Sequence, residues 1–188
     1  MPTDASPASP SHAPGAAPAA GHHAIAAAFV AAALEGLGQL KALAERAVAQ
    51  VDDRALAVAL GDEANSIAVL LRHVTGNLRS RWTDFLETDG EKPDRDRDGE
   101  FEASAADADR ARLLADWDAA WGICLASIGA LGADDLQRTV TIRGEPVGVV
   151  GAIGRTQRHV AQHVGQLVLL AKHLAGDGWT TLSIPRRR

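Results

Sequence analysis

The sequence is short of several residue types, and each shortage excludes a class of protein. One cysteine, Cys124, stands in 188 residues, so no intrachain disulfide can form and a disulfide scaffold is excluded. A lone cysteine fits a reducing cytoplasm. Cys124 lies among apolar residues at helical spacing, which favours a small buried side chain over a reactive thiol. Tyr is absent and Phe occurs three times, whereas Ala and Leu, the best helix formers, are abundant, so the composition favours an all-α fold.

The sequence also lacks long apolar runs and an excess of basic charge. No uninterrupted run reaches the roughly 18 to 20 apolar residues of a membrane span, and no basic region followed by an apolar core opens the chain. The net charge of -5 argues against a general nucleic-acid binder, which would show a basic face. We therefore expect a cytoplasmic protein with no membrane partner and no nucleic-acid partner.

The chain divides into a tail and one domain. Residues 1–21 are rich in Ala, Pro, Ser and Gly and contain almost no large apolar side chain, so they are predicted to be a disordered tail. Residues 22–188 are long enough to bury a core as one domain. Apolar residues at helical spacing predict four helices, at about 23–50, 65–85, 107–131 and 147–175.

Two segments between these helices break the helical pattern. Residues 88–103 carry mixed charges with turn residues at both ends, which is typical of a solvated loop, and we assign no ligand role to them. The segment is long for a bundle connection and indicates a crossover. Residues 139–147 alternate apolar and polar side chains around Gly144, which predicts a small β-hairpin before the last helix. The expected fold is an all-α four-helix bundle with this loop and hairpin.

Three histidines are the candidate ligands of a metal ion. His159 and His163 are four residues apart on the last helix, so both rings point to the same side. His73 lies on the flank of the apolar stripe of the second helix. Imidazole suits Zn, Ni, Fe or Cu, and three protein ligands with open positions are the catalytic type of site. The alternative is that the three are ordinary half-buried histidines.

Two amides and several missing motifs complete the chemical interpretation. Asn77 and Gln166 each lie about one turn from a predicted ligand, where they would bind a ligand at the open site or hydrogen-bond to the metal ligands. The motif His-Glu-x-x-His is absent, so a zinc protease would lack its general base. No Gly-x-Ser-x-Gly elbow and no P-loop lysine are present. We therefore predict no catalytic side chain.

Several linked motifs resemble a known family. They cover nearly everything after the tail and include Asn65–Ala68, Leu71–Asn77, Ser80–Leu86, Asp89–Pro93, Arg143–Pro146, His163–Gln166, Ala171–Leu174, Trp179 and Ser183–Arg186. Together they resemble a subgroup of the DinB-like (YfiT-like) superfamily that is labelled only as a domain of unknown function. The Ala/Pro-rich tail has no counterpart in this resemblance. At Asp94 an aromatic residue is expected, so a loop contact near the site is expected to be missing.

The resemblance implies an up-down-down-up four-helix bundle that is often dimeric, so we expect a homodimer. It also implies a divalent transition metal (Zn, Ni, Fe or Mn) held by one histidine of the second helix and two of the fourth, which are His73, His159 and His163 here. Some relatives use such a site for thiol-dependent transfer or isomerisation with low-molecular-weight thiols.

Three functions are compatible with these observations. The first is a metal-dependent enzyme, a thiol transferase, isomerase or hydrolase acting on a small electrophile, with a low-molecular-weight thiol as cosubstrate. The second is a non-enzymatic, stress-related bundle that binds a metal or a small molecule. The third is a structural dimer without metal. The sequence does not select the metal or the substrate.

Overall fold

A computed structural model describes residues 17–102, 107 and 109–184. It consists of four α-helices and one antiparallel β-hairpin before the last helix, which confirms the expected all-α fold with its small hairpin. The elements are α1 Ala17–Val48, α2 Ile67–Trp82, α3 Arg110–Gly129, β1 Thr139–Ile142, β2 Glu145–Gly148 and α4 Val149–Ala175. Helix α1 begins six residues before its predicted start, at Ala17. The rest of the predicted tail, residues 1–16, lies outside the described residues.

Helix α2 lies in the centre of the molecule and carries the first candidate ligand. It begins at a cap, because the Ser66 hydroxyl accepts a hydrogen bond from the backbone N–H of Val69, at 3.2 Å. It ends at Trp82, three residues before its predicted end, because the backbone of Thr83 is extended, and Asp84 then adopts a left-handed backbone with φ of 46°. Phe85 still reaches the core beyond the helix, where its ring lies 4.3 Å from that of Trp82.

The helices pack in two close pairs, α2 along α3 and α1 along α4. Their shared core contains three fully buried tryptophans, Trp82, Trp117 and Trp121. The rings of Trp117 and Trp121 meet edge to face with centroids 5.4 Å apart, and the indole N–H of Trp117 donates to Glu45 at 3.2 Å. Both side chains therefore belong to the bundle core.

The long connection between α2 and α3 is a solvated loop only in its middle, where Asp94 and residues 96–98 are exposed, because its two ends are bonded to the rest of the protein. The Asp89 carboxylate accepts the backbone N–H groups of Arg143 and Gly144 in the hairpin turn, both at 2.8 Å. The N–H of Gly90 donates to the carbonyl of Thr141, also at 2.8 Å. Hydrogen bonds to a charged acceptor are among the stronger ones in proteins. They fasten the crossover loop to the hairpin, and the loop then continues beside α2.

The hairpin turn consists of Arg143 and Gly144, with φ of 57° and 77°. Two consecutive residues with positive φ are typical of the tight turn that matches the twist of a two-residue hairpin. Gly144 adopts this conformation without a steric penalty, whereas Arg143 does not have that freedom and is held by Asp89. The turn therefore presents an arginine side chain at a fixed place near α2 and α4.

One helical stretch in the described part of the chain, Gly21–Val48 within α1, is long and apolar enough to cross a membrane by length and composition alone. Only 17% of its most apolar window is buried. Polar residues interrupt the apolar residues of α1, so the sequence of this helix contains no uninterrupted apolar run of membrane-spanning length. Core helices of proteins without a membrane pass the same test, and the absence of a membrane partner stays a prediction.

Candidate metal centre

The three predicted histidines meet between α2 and α4. Nε2 of His159 lies 3.0 Å from Nε2 of His73 and 3.2 Å from Nε2 of His163. One nitrogen from each ring lies within 4.8 Å of the others. His73 and His163 are buried, with 4% and 8% of their surfaces exposed, and His159 is half-buried. The helical spacing predicted the pair on α4, and the packing of α2 against α4 adds the third ring.

The opposite nitrogens of two rings are engaged by polar side chains. Nδ1 of His73 lies 2.9 Å from a carboxylate oxygen of Glu100, and Nδ1 of His163 lies 2.8 Å from Oε1 of Gln166. An ionised carboxylate can only accept, so the Nδ1 of His73 carries the proton and donates it. The amide oxygen of Gln166 fixes His163 in the same way. In the neutral form of such a ring the lone pair is on Nε2, which faces the cluster in both histidines.

This geometry fits a shared metal ion. Two nitrogens that each lie about 2.0–2.1 Å from one zinc ion are separated by roughly 3 to 3.4 Å. The distances from Nε2 of His159 to Nε2 of His73 and of His163 fall within that range. Without an ion, a single proton on Nε2 of His159 cannot be directed at both neighbouring lone pairs. Histidine ligands usually donate their second N–H to a carboxylate or carbonyl, which His73 and His163 do here.

Glu100 is held in position by a buried arginine of the crossover loop. Nε and one terminal nitrogen of Arg95 donate to the two carboxylate oxygens, both at 2.7 Å, in a forked pair. Burial alone would raise the pKa of Glu100, but the hydrogen bonds from His73 and Arg95 lower it below its ordinary value. The carboxylate is therefore ionised and remains an acceptor for His73. Neither Glu100 nor Arg95 was predicted, because mixed charges in a loop usually mark solvated residues.

Gly76 makes room for this carboxylate. A Cβ atom at that position would overlap the carboxylate of Glu100, which is a rigid neighbour because Arg95 and His73 both hold it. The glycine is one turn from His73 on α2. The close approach of Glu100 to the helix thus depends on the missing side chain.

An aromatic ring from the same loop covers His73. The ring of Phe101 lies 4.6 Å from the ring of His73, tilted by 40°. Asp94, where an aromatic residue was expected, is exposed. Position 94 therefore supplies no aromatic contact to the site, and Phe101, from further along the loop, covers His73 instead.

The two predicted amides have different positions. Gln166 accepts a hydrogen bond from His163 and does not line the cavity beside the histidines, so its role is to orient a ring. Asn77 lines a cavity of about 180 Å³ beside the histidines, together with His73, His159 and Thr156. Four arginines complete the lining, and sequence reasoning missed them. Ligand access to the cluster is therefore from the side of Asn77.

Burial keeps two of the rings neutral. It lowers the pKa of His159 to about 4, and the neighbouring rings of His163 and His73 add to this effect. Burial also lowers the pKa of His163, although the hydrogen bond with Gln166 acts in the opposite direction. Neutral imidazole is the form that binds a metal ion, so both rings are ready to do so near pH 7.

These features define a helical protein with a buried three-histidine cluster. The family model that matches residues 24–188 carries the description "Protein of unknown function (DUF1572)", and the chain belongs to this family. No curated protein and no solved structure matches the chain. The function must therefore be argued from the cluster and its surroundings.

We expect Gly76→Ala to weaken metal binding about 10-fold to 100-fold, because the new methyl group displaces Glu100 from His73. Alanine is the better helix former, but displacing Glu100 also disturbs its pair with Arg95, so the metal-free protein should lose roughly 1 to 3 kcal/mol of stability and still fold. Zinc affinity in competition with a chelator measures the effect. Gly122→Ala on α3, where a Cβ meets nothing within 4 Å, is the matched control. Equal zinc affinities for both variants would contradict the role of Glu100.

We expect the metal-free protein to lose stability as the pH falls from about 6.5 to about 4. The pKa of His159 is near 6.5 in an unfolded chain and about 4 in the fold. Between these values the unfolded chain binds more protons, so acidification favours unfolding. The loss should be roughly 1 to 2 kcal/mol, reduced by the partial exposure of the ring. Urea unfolding at several pH values measures it, and an unchanged pH slope in His159→Gln would exclude His159 as the cause.

Proposed function

We propose that this protein is a metal-dependent enzyme whose divalent transition metal is bound by His73, His159 and His163. The observation that carries the proposal is the convergence of three Nε2 atoms while the Nδ1 protons of two rings are engaged elsewhere. A bound Zn, Ni, Fe or Mn ion would act as a Lewis acid or lower the pKa of a bound water or thiol. Three protein ligands leave positions open for a substrate.

The surrounding residues have positioning roles in this proposal. Glu100 and Gln166 hold the rings of His73 and His163 so that Nε2 faces the cluster. Phe101 covers one side of His73 and limits access of water there. Asn77 lies at the open side, where its amide can hydrogen-bond to a bound molecule. A small-molecule substrate would therefore enter between α2 and α4.

We propose a thiol-dependent transfer or isomerisation as the reaction class, because the chain offers no nucleophile of its own at the site. Cys124 is fully buried, and burial raises the pKa of its thiol far above the ordinary range. No cysteine, serine, lysine or carboxylate lines the cavity among the described residues. The hydroxyl of Thr156 does, but an unactivated alcohol is a much weaker nucleophile than a thiol at neutral pH. A low-molecular-weight thiol would then supply the nucleophile. In a transfer, its sulfur bonds to the electrophilic carbon, the leaving group departs with the bonding electrons, and the thiol proton passes to water.

We infer that the chain is a DinB-like (YfiT-like) bundle with an up-down-down-up course. Contacts between α2 and α3 support this, because Arg72 pairs with Asp107 and Arg79 pairs with Asp116, at 3.7 Å in the second pair. Asp107 lies three residues before α3 and Asp116 within it, so the pairs advance in the same direction along α2 and along the chain that enters α3, as a crossover connection requires. A homodimer, a cytoplasmic location and the absence of a nucleic-acid partner stay predictions.

Elemental analysis of protein purified without a histidine tag should find about one transition-metal ion per chain. His73→Ala and His163→Ala should each lose most of it, because two imidazoles bind such an ion far more weakly than three. His173→Ala, which removes an exposed histidine of α4 outside the cluster, should keep it. Protein that contains no metal and takes up none from added Zn, Ni or Mn salts would exclude the proposed function and favour the structural dimer.

The metal-loaded protein should catalyse the reaction of a small thiol such as glutathione with an aryl halide electrophile. Chelation should abolish turnover, addition of the metal should restore it, and His163→Ala should be inactive. Absorbance of the thioether product measures the rate. Stoichiometric metal without turnover for any thiol tested would favour the non-enzymatic metal-binding bundle over the enzyme.

A further inference from the structure

The cavity beside the histidines is strongly basic. Its lining consists of His73, Asn77, Arg81, Arg97, Arg143, Arg155, Thr156 and His159. Four of these eight residues are arginines and none is acidic, although the whole chain has a net charge of -5. A concave surface lined by one sign of charge concentrates ligands of the opposite sign.

Arg81 lies at the buried end of this cavity. Its side chain lies in the last turn of α2 and is only 5% exposed. It packs under the hairpin, where a Cβ added to Gly90 would lie 3.0 Å from Arg81 and 3.2 Å from Ile142. Its terminal nitrogen Nη1 is buried and has no hydrogen-bond partner among the described residues.

Arg81 makes no ion pair within the described residues, although the carboxylates of Asp89 and Glu91 act on its charge from beyond pairing distance. Burial lowers the pKa of its guanidinium to about 10, and the nearby charge of Arg155 acts in the same direction. The group is therefore still protonated near pH 7. Buried charged groups in proteins are almost always paired, because an unpaired buried charge is strongly destabilising. An arginine kept in this condition at the edge of a cavity indicates that its partner is a ligand.

The other three arginines reach the cavity from three different elements. Arg155 lies on α4 one turn before His159, is exposed, and makes no hydrogen bond or ion pair within the described ranges. Arg143 in the hairpin turn donates to Glu91 at 3.1 Å. Arg97 in the crossover loop lies over the ring of Phe101 at 5.6 Å. Arg81 and Arg155 are therefore the two whose donors are available.

Their position follows from helical spacing. Residues 73, 77 and 81 form one line along α2, and residues 155, 159 and 163 form one line along α4, since each is four positions from the next. The two lines meet at the histidines and end at Arg81 and Arg155. A molecule held by these arginines would thus lie directly beside the proposed metal position.

We propose that the cavity binds a small oxyanion, a carboxylate or phosphate group of the substrate, through Arg81 and Arg155. Planar guanidinium groups match the paired oxygens of both anions. A cavity of about 180 Å³ accommodates one such group and the few atoms attached to it. A neutral substrate would leave Arg81 buried and unpaired. That the anion is part of a substrate rests on the proposed function. Binding of the anion itself needs only the arginines.

Isothermal titration calorimetry with malonate and, separately, inorganic phosphate tests this at low ionic strength, on protein as purified and after removal of metal by chelation. We expect saturable binding of at least one anion at one site per chain. Arg81→Gln and Arg155→Gln should each weaken it about tenfold or more, since a charge-assisted hydrogen bond is removed. Arg112→Gln, which removes an exposed arginine of α3 outside the cavity, should have no effect. Preference for malonate or phosphate identifies the type of anion.

The outcomes separate this inference from the metal site. Stoichiometric metal, with no anion binding or with binding that Arg155→Gln leaves unchanged, would overturn the anion site and leave the metal proposal intact. Protein that contains no metal as purified, takes up none from added salts and still binds an anion through Arg81 and Arg155 would support the anion site and refute the metal. Arg155 is exposed, so its variant serves if Arg81→Gln does not fold, as circular dichroism will show.

Discussion

The hydrogen bond between His73 and Glu100 is the interaction on which the site depends. A carboxylate that only accepts places a proton on Nδ1 of His73 and orients the ring so that its Nε2 faces His159. The bond in turn needs Arg95, which grips both oxygens of the carboxylate, and Gly76, which leaves space for it. Burying the side chain of His73, Glu100 or Arg95 without the other two would be unfavourable, because a polar or charged group would lose its hydrogen bonds to water. Together they form a paired and hydrogen-bonded set, the condition under which charges are tolerated in a protein interior.

The crossover loop is therefore a structural part of the site and not merely a connection. Its first part is fastened to the hairpin through Asp89, and its last part brings Glu100 and Phe101 against α2. Long connections in compact domains are usually functional. Here the helices supply the three rings, the loop fixes the orientation of one of them, and the hairpin turn adds Arg143 to the wall of the cavity.

The same packing gives the cavity two chemically different halves. In the histidine half, His159 and His163 are neutral near pH 7, because burial lowers the pKa of both. The arginine half is cationic and includes the buried Arg81. Neutral nitrogen donors next to fixed positive charges are suited to a metal ion and an anionic group that is bound beside it. This arrangement connects the proposed reaction with a class of substrate.

The sequence by itself determined the helices, the hairpin and the pair His159 and His163, because these depend on local spacing of 3.6 or 2 residues. The flank position of His73 was also local, but its contact with the other two rings needed the packing of α2 on α4. The four-residue spacing also places Arg81 on the face of α2 that carries His73, and Arg155 on the face of α4 that carries His159, but neither arginine was predicted as a site residue. Only the tertiary structure decided the roles of Glu100 and Arg95. Whether a charged loop lies in water or against a helix depends on contacts between residues distant in sequence, such as Asp89 with Gly144, and no local pattern records them.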